Sequence, residues 1–170
     1  PDKSDGNHPF FCTNTPLQFE QLDSGLRNLL DLYWSGLYSS QQKFIDHEWT
    51  KHGTCWRSDY GEIEKMPASV QDTVLRQRSS DQNSSDFLKT SISLSKDVYN
   101  VYRTLERAGI IPSSTATYTL AEIQGSLTKL FGGEVTKFQI NCQQDEKGAS
   151  LLSDMSFCLD KNYQPMDCQN

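Results

Sequence analysis

Phe44-Ile45-Asp46-His47-Glu48-Trp49-Thr50-Lys51-His52-Gly53-Thr54-Cys55-Trp56 is the stretch on which the reading of this chain turns. It carries two of the three histidines of the sequence, with a glutamate, a lysine and a cysteine beside them. Wound as an α-helix from Phe44 to His52, it advances about 100° per residue. His47 and Lys51 then become i,i+4 neighbours, as do Glu48 and His52. These four side chains project within about 140° of arc, while Ile45 and Trp49 fall toward the other side and are available for burial. Gly53 stands where a helix C′ glycine belongs, and Cys55 can fasten the helix end.

Three chemistries use such a set. Zinc hydrolysis places histidines at i and i+4 of a helix. Here the i+4 position is Lys51, the second histidine comes at i+5, and an ammonium would stand beside the metal, so no metal site is expected. A cysteine nucleophile paired with histidine would need Cys55 free, in a chain whose cysteines read as disulfides. Phosphoryl transfer fits best: lysine and imidazolium stabilise charge on pentavalent phosphorus while a neutral histidine removes a hydroxyl proton. With RNA as substrate the 2′-OH is the built-in nucleophile, and neither metal nor cofactor is required. A merely solvated charged face is the competing reading.

The run His47-Glu48-Trp49-x-Lys51-His52-Gly53-Thr54-Cys55 resembles the second catalytic segment of the ribonuclease T2 family. Pro1-Asp2-Lys3-Ser4-Asp5-Gly6 is similar to the tail of that family's first catalytic segment, His-Gly-Leu-Trp-Pro-Asp. Phe157-Cys158-Leu159 to Pro165-Met166-Asp167-Cys168 resembles its C-terminal cysteine hairpin, closest to the vacuolar and lysosomal-type members. The likeness covers most of the chain except roughly positions 57–85.

The resemblance implies a metal-independent endoribonuclease that cleaves single-stranded RNA to a 2′,3′-cyclic phosphate, later opened by water to a 3′-phosphate. His52 would take the 2′-OH proton, His47 help hold the phosphate, Lys51 offset oxyanion charge and Glu48 orient its neighbours. Asp2 would belong to the base-recognition pocket, with Phe10 or Phe11 as a stacking wall; core packing is the equal alternative for both rings. Cys12 would pair with Cys55, contributing about 4 kcal/mol by loop closure. Cys158 would pair with Cys168, and Cys142 with a cysteine beyond the hairpin. The histidine that protonates the leaving 5′-oxygen belongs to the first segment, ahead of Pro1. The expectation is therefore an N-terminally incomplete domain whose front piece travels as a separate chain of the same precursor. His8 is not assigned that role. A catalytically silent relative or fragment that binds RNA or a protein partner is the rival from another class.

Length and composition bound these readings. A chain of 170 residues suits a single domain. Its net charge of −6 argues against broad electrostatic capture of nucleic acid, so a nuclease here needs a local positive site or an acidic compartment. No apolar run is long enough for a membrane span. A start at Pro1, without methionine or signal peptide, reads as a processing boundary. Five cysteines fit either reduced cytosolic thiols or disulfides with one left over in an oxidising compartment; the resemblance implies the second, in the secretory pathway, secreted or vacuolar/lysosomal. Asn83-Ser84-Ser85 is a glycosylation sequon.

Around the central stretch the pattern predicts an α+β fold, helices packed on a mainly antiparallel β-sheet. Pro1 to Thr15 reads as loop. Thr15-Pro16-Leu17-Gln18 reads as a helix start with a capping box, continued by a Leu22, Leu26, Leu29, Leu30, Tyr33 stripe. Ser39 or Ser40 caps the central helix. Positions 57–85 read as a surface insertion in which Ile63, Met66, Val70, Val74 and Leu75 are the large apolar residues; Arg76 and Arg78 there are solvated rather than phosphate-bound. One helix is expected from Asp86 to Gly109, with Leu94, Val98, Val101, Tyr102 and Leu105 as its stripe. Thr119-x-x-Glu122 caps another, stopped by Gly132-Gly133. A period of two from Thr136 to Cys142, a polar turn from Gln143 to Ser150 and a second run from Leu151 to Leu159 predict an antiparallel pair.

Overall fold

The computed structural model describes residues 11–36, 39–56, 66–71, 84–160 and 162–168. Asp2, His8, Phe10, Arg76, Arg78, Asn83 and most of the 57–85 stretch lie outside the described residues. The chain forms two compact units, Pro1–Val98 and Tyr99–Asn170.

The first unit is helical: α1 (Ser24–Tyr33), α2 (Gln41–Lys51) and α3 (Ser84–Ser93), the last running on as a π-turn over Leu94–Val98. Leu22, Leu26 and Leu30 pack with Ile45 of α2 and with Leu88 and Ile92 of α3. Each such leucine, fully buried, contributes about 1.5–3 kcal/mol. Tyr33, expected in the stripe, is 51% exposed. Met66 and Val70 are buried, Val70 on a helical turn at 68–71.

The helix expected to start at Thr15 starts later. A 3₁₀ turn spans Phe19–Gln21, and α1 begins at Ser24 with Asp23 as its cap. Asp23 Oδ1 accepts the Leu26 N–H at 2.8 Å, and Lys89 of α3 reaches Asp23 Oδ2 at 3.2 Å. Those contacts, the Leu26 N–H first, hold the Asp23 carboxyl below its ordinary range. Thr15 is engaged elsewhere: its carbonyl accepts the Trp49 Nε1–H at 2.9 Å, and its hydroxyl accepts from Thr13. Tertiary and local hydrogen bonds thus outcompete the capping box there.

The single helix expected from Asp86 to Gly109 is two. The Ser95 hydroxyl donates to the Ile92 carbonyl at 3.1 Å beside the π-turn. Asn100 then caps α4 (Val101–Arg107), its Oδ1 accepting the Arg103 N–H at 2.9 Å. A π-turn inserts about one residue and so shifts the helical phase of later residues by roughly 100°. Tyr102, predicted apolar-facing, is accordingly 61% exposed, while Leu94 and Leu105 stay buried.

The second unit continues with α5 (Leu120–Thr128), whose capping box is present as predicted: Glu122 Oε2 accepts the Thr119 N–H at 2.7 Å and Thr119 Oγ1 accepts the Glu122 N–H at 3.2 Å. These hydrogen bonds hold the Glu122 carboxyl below its usual range. Strands β1 (Phe138–Gln144) and β2 (Ser150–Phe157) pair antiparallel, Phe138 opposite Phe157, with a register shift between Asn141 and Cys142. Thr136 and Lys137 fall in a 3₁₀ turn before β1 rather than in the strand. This ribbon is the sheet of the described residues, and with the helices it makes the fold α+β. Phe131 stacks on Tyr99 at 5.7 Å and meets Phe138 and Phe157 at 5.3 and 5.1 Å, forming this unit's core.

After β2 the chain folds back through the Cys158–Cys168 disulfide. Asp160 Oδ1 accepts the Asn162 and Gln164 N–H groups at 2.7 and 2.9 Å, an Asx turn. Tyr163 takes a φ of 58°, and its carbonyl accepts the Tyr99 hydroxyl at 2.7 Å. Burial, with the Asp160 charge behind it, raises that hydroxyl's pKa. Among the described residues no helix is long and apolar enough to cross a membrane.

Candidate active site

Helix α2 buries Ile45 and Trp49, turns His47 to solvent and carries Glu48 at the flank of its buried side. It ends at Lys51, with His52 as the C-cap. His47 is exposed; Glu48, Lys51 and His52 are half-buried. The His52 imidazole Nε2 lies 4.0 Å from Glu48 Oε2, so protonation of His52 creates an i,i+4 ion pair. The side chains are 39% and 25% exposed, and solvent therefore screens the pair only in part. The His47 side chain makes no hydrogen bond or ion pair among the described residues.

The turn that carries His52 is fastened from several sides. Cys55 is bonded to Cys12, with Cα atoms 4.9 Å apart. The Phe11 N–H donates to the Lys51 carbonyl at 2.9 Å, occupying one of the acceptors a helix end leaves open. The buried Thr54 hydroxyl donates to the Thr50 carbonyl at 2.9 Å. Phe11 reaches this contact with a φ of 53°, a left-handed conformation that a bulky residue adopts only under constraint. Its ring is 47% exposed beside the end of α2, which is not a core position.

Gly53 is required for a different reason from the one its spacing suggests. The helix does not end in a left-handed glycine; it tightens into a 3₁₀ turn over Gly53–Cys55. A Cβ on Gly53 would stand 2.3 Å from Trp49 Cε3 and 3.0 Å from Phe87 Cδ1. The absent side chain lets the backbone beside His52 lie directly on the Trp49 ring. Ser40 occupies the N-cap position of α2 without a side-chain capping bond, and the Ser39 hydroxyl donates to the Ser40 carbonyl at 3.3 Å.

Sequence reasoning misses Phe87 of α3. Its ring centroid lies 6.2, 5.9 and 5.9 Å from those of Trp34, Trp49 and Trp56, so it touches every tryptophan of the chain. In sequence it is only the second residue of the helix expected from Asp86, outside the stripe read there, and nothing local reveals that it supports the end of α2. Among the described residues no group of three or more His, Cys, Asp or Glu side chains is placed to hold a metal ion.

The electrostatics of the helix end decide what it can bind. The C-terminus of an α-helix carries partial negative charge and does not attract an anion by itself. A phosphate there must be held by side-chain cations, which Lys51 and the imidazoles can supply. The arrangement thus places a carboxylate beside one imidazole, with a second imidazole and an ammonium on the same helix, groups able to exchange protons and to pair with an anion.

A disulfide-tied α+β fold with this site at the end of one helix defines the class of protein. The model of the ribonuclease T2 family matches residues 1–168, and the chain belongs to that family. Ribonuclease DdI of Dictyostelium discoideum is 30% identical over 169 residues, 99% of this chain and 62% of that protein. Ribonuclease T2 of Aspergillus oryzae is 28% identical over 150 residues, 84% of this chain and 49% of that protein. The chain thus spans about half to two thirds of the length of these relatives. Among solved structures, Japanese pear S3-RNase superposes with a TM-score of 0.68 at 21% identity, covering 95% of this chain and 70% of that one. A single-residue variant of RNase MC1 in complex with 5′-GMP gives 0.67 at 22%, covering 94% and 71%. These structural likenesses establish the fold.

Proposed function

We propose that the protein is a metal-independent endoribonuclease of the secretory pathway, secreted or vacuolar/lysosomal. It cleaves single-stranded RNA by transesterification to a 2′,3′-cyclic phosphate and then hydrolyses that ester to a 3′-phosphate. The observation that carries this reading is the His47, Glu48, Lys51, His52 set on one side of α2, with His52 on a turn fastened by Cys12–Cys55 and seated on Trp49.

In this scheme His52 accepts the 2′-OH proton as the 2′ oxygen attacks phosphorus. Lys51 offsets the charge that develops on the non-bridging oxygens, and His47 binds the same phosphate. Glu48, close to His52, orients it and balances its charge once protonated. The leaving 5′-oxygen takes its proton from the histidine of the family's first catalytic segment. Asp2 and Phe10, outside the described residues, and the exposed Phe11 serve the base pocket. The 5′-GMP bound in the RNase MC1 variant is a ligand of the size such a pocket would take. The two disulfides suit an oxidising compartment, and Asn83 is the proposed glycan acceptor.

The test is incubation of the protein and its His52→Ala variant with RNA in excess EDTA at acid pH, assayed for cyclic phosphate ends. Ends from the parent alone support metal-free transesterification. No cleavage by either sinks the enzyme reading and leaves a T2-like protein that binds RNA or a protein partner. One imidazole must be charged and the other neutral, so kcat/KM against pH is expected to be bell-shaped, and a flat profile counts against the scheme.

A further inference from the structure

The cationic side of α2 extends beyond the residues used above. Lys43 precedes His47 by four positions and Lys51 by eight, so the three form an i, i+4, i+8 ladder within one helix. Each step rises about 6 Å and drifts only about 40° around the axis, so the ladder keeps to one side. Lys43 is exposed and makes no ion pair among the described residues. Asp46, also exposed, flanks the ladder at about 60° from Lys43 around the helix, and no ion pair joins the two. One rung of the ladder is comparable to one nucleotide of extended RNA backbone. With His47 and Lys51 on the scissile phosphate, the next phosphate along the strand falls within reach of Lys43. In a protein of net charge −6, such a local line of cations is what can capture a polyanion.

We infer that Lys43 binds the RNA phosphate adjacent to the one being cleaved. The inference rests on the ribonuclease reading above and adds a subsite to it. It predicts that substrates carrying the extra phosphate bind better than a dinucleoside monophosphate, and that Lys43 supplies part of that gain.

The test uses binding, so that it stands apart from turnover. Affinity for a non-cleavable 2′-O-methyl hexanucleotide is measured against NaCl concentration for the parent, Lys43→Ala, Lys43→Arg and Lys147→Ala. Lys147 lies in the exposed β1–β2 turn and serves as a control. Lys43→Ala is expected to weaken binding several-fold at low salt. It should also flatten the slope of log K against log salt by about 0.7, the loss of one phosphate contact on a single strand. Lys43→Arg should retain the slope and Lys147→Ala should not alter it. The advantage of the hexanucleotide over a dinucleoside monophosphate should shrink in Lys43→Ala. An unchanged slope and an unchanged advantage overturn the subsite. A parent that binds the hexanucleotide yet yields no cyclic ends from ordinary RNA overturns the enzyme reading while leaving the Lys43 result readable. A parent that does not bind it overturns both.

Discussion

In the first unit Phe11 adopts a φ of 53° beside the Cys12–Cys55 bridge; in the second Tyr163 adopts 58° inside the loop closed by Cys158–Cys168. Both are aromatic residues in a conformation that favours glycine, and both are held by a hydrogen bond as well as a disulfide. The Phe11 N–H goes to Lys51, and the Tyr163 carbonyl receives the Tyr99 hydroxyl. The difference lies in the polar groups nearby. Around Tyr163 they serve the fold: Asp160 caps its turn, Asp167 accepts the Thr136 hydroxyl at 2.6 Å, and Lys137 donates to the Pro165 carbonyl. Around Phe11 the same rigidity supports a row of ionisable side chains that face solvent, His47 among them. Constraint that ends in satisfied hydrogen bonds is architecture. Constraint that fastens a helix end beside ionisable side chains is what the proposed site requires.

The largest expected effect is on chemistry. His52→Ala should lower kcat by about 10²–10⁴ with the fold intact by circular dichroism. A comparable loss from Asp160→Ala in the hairpin would break the assignment of the site to the first unit. Next come the disulfides, whose loops differ: 43 residues separate Cys12 and Cys55, ten separate Cys158 and Cys168. Chain entropy then predicts that replacing each pair by serine costs about 4 kcal/mol for the first and about 3 for the second. Urea unfolding measures both, and only the first replacement should also depress RNA cleavage, because only that bridge fastens the His52 turn.

Glycine sharpens the comparison further. Gly53→Ala must displace the Trp49 ring, an overpacking cost of about 1–3 kcal/mol, and should lower activity more than stability because His52 adjoins it. Gly125 in α5 has open space where its Cβ would stand. Gly125→Ala should therefore stabilise by about 0.5–1 kcal/mol, through helix propensity alone.

These contrasts also explain what sequence could reveal. The side of α2 bearing His47, Glu48, Lys51 and His52 follows from 3.6-residue periodicity, as do the buried Leu26 and Leu30, and the capping box of Thr119 and Glu122 follows from its Thr-x-x-Glu spacing. The α+β class and the β1–β2 pair follow from the change of period after Gly133. Three features are not legible there, each for its own reason. The start of α1 depends on a carbonyl of Thr15 drawn to Trp49, a contact across 34 residues. The break after α3 depends on a π-turn, which has no periodic signature. The role of Phe87 depends on tryptophans from distant segments. At the site, the spacing of Lys43 to His47 is plain in the sequence; only its exposure had to come from the structure.

The smallest expected effect separates the two helix caps. Asp23 and Glu122 both have carboxyl pKa values below their ordinary range, Asp23 through the Leu26 N–H and then Lys89, Glu122 through Thr119 alone. A depressed carboxyl stabilises the fold above its unfolded pKa, about 3.9 for Asp and 4.3 for Glu, and that stability drains away as pH falls through the folded value. Acid should thus erode both caps, and thermal melting from pH 6 downward should show the difference between parent and each amide variant vanishing. Salt should distinguish them. The Lys89–Asp23 pair is 45% and 58% exposed and therefore screened, so Asp23→Asn should matter less at high salt than at low salt. The Glu122 capping box is made of hydrogen bonds to Thr119, and Glu122→Gln should respond to salt far less. Equal salt sensitivity would mean that Lys89 contributes nothing to holding α1 against α3, and that the first unit relies on its leucine core and its disulfide alone.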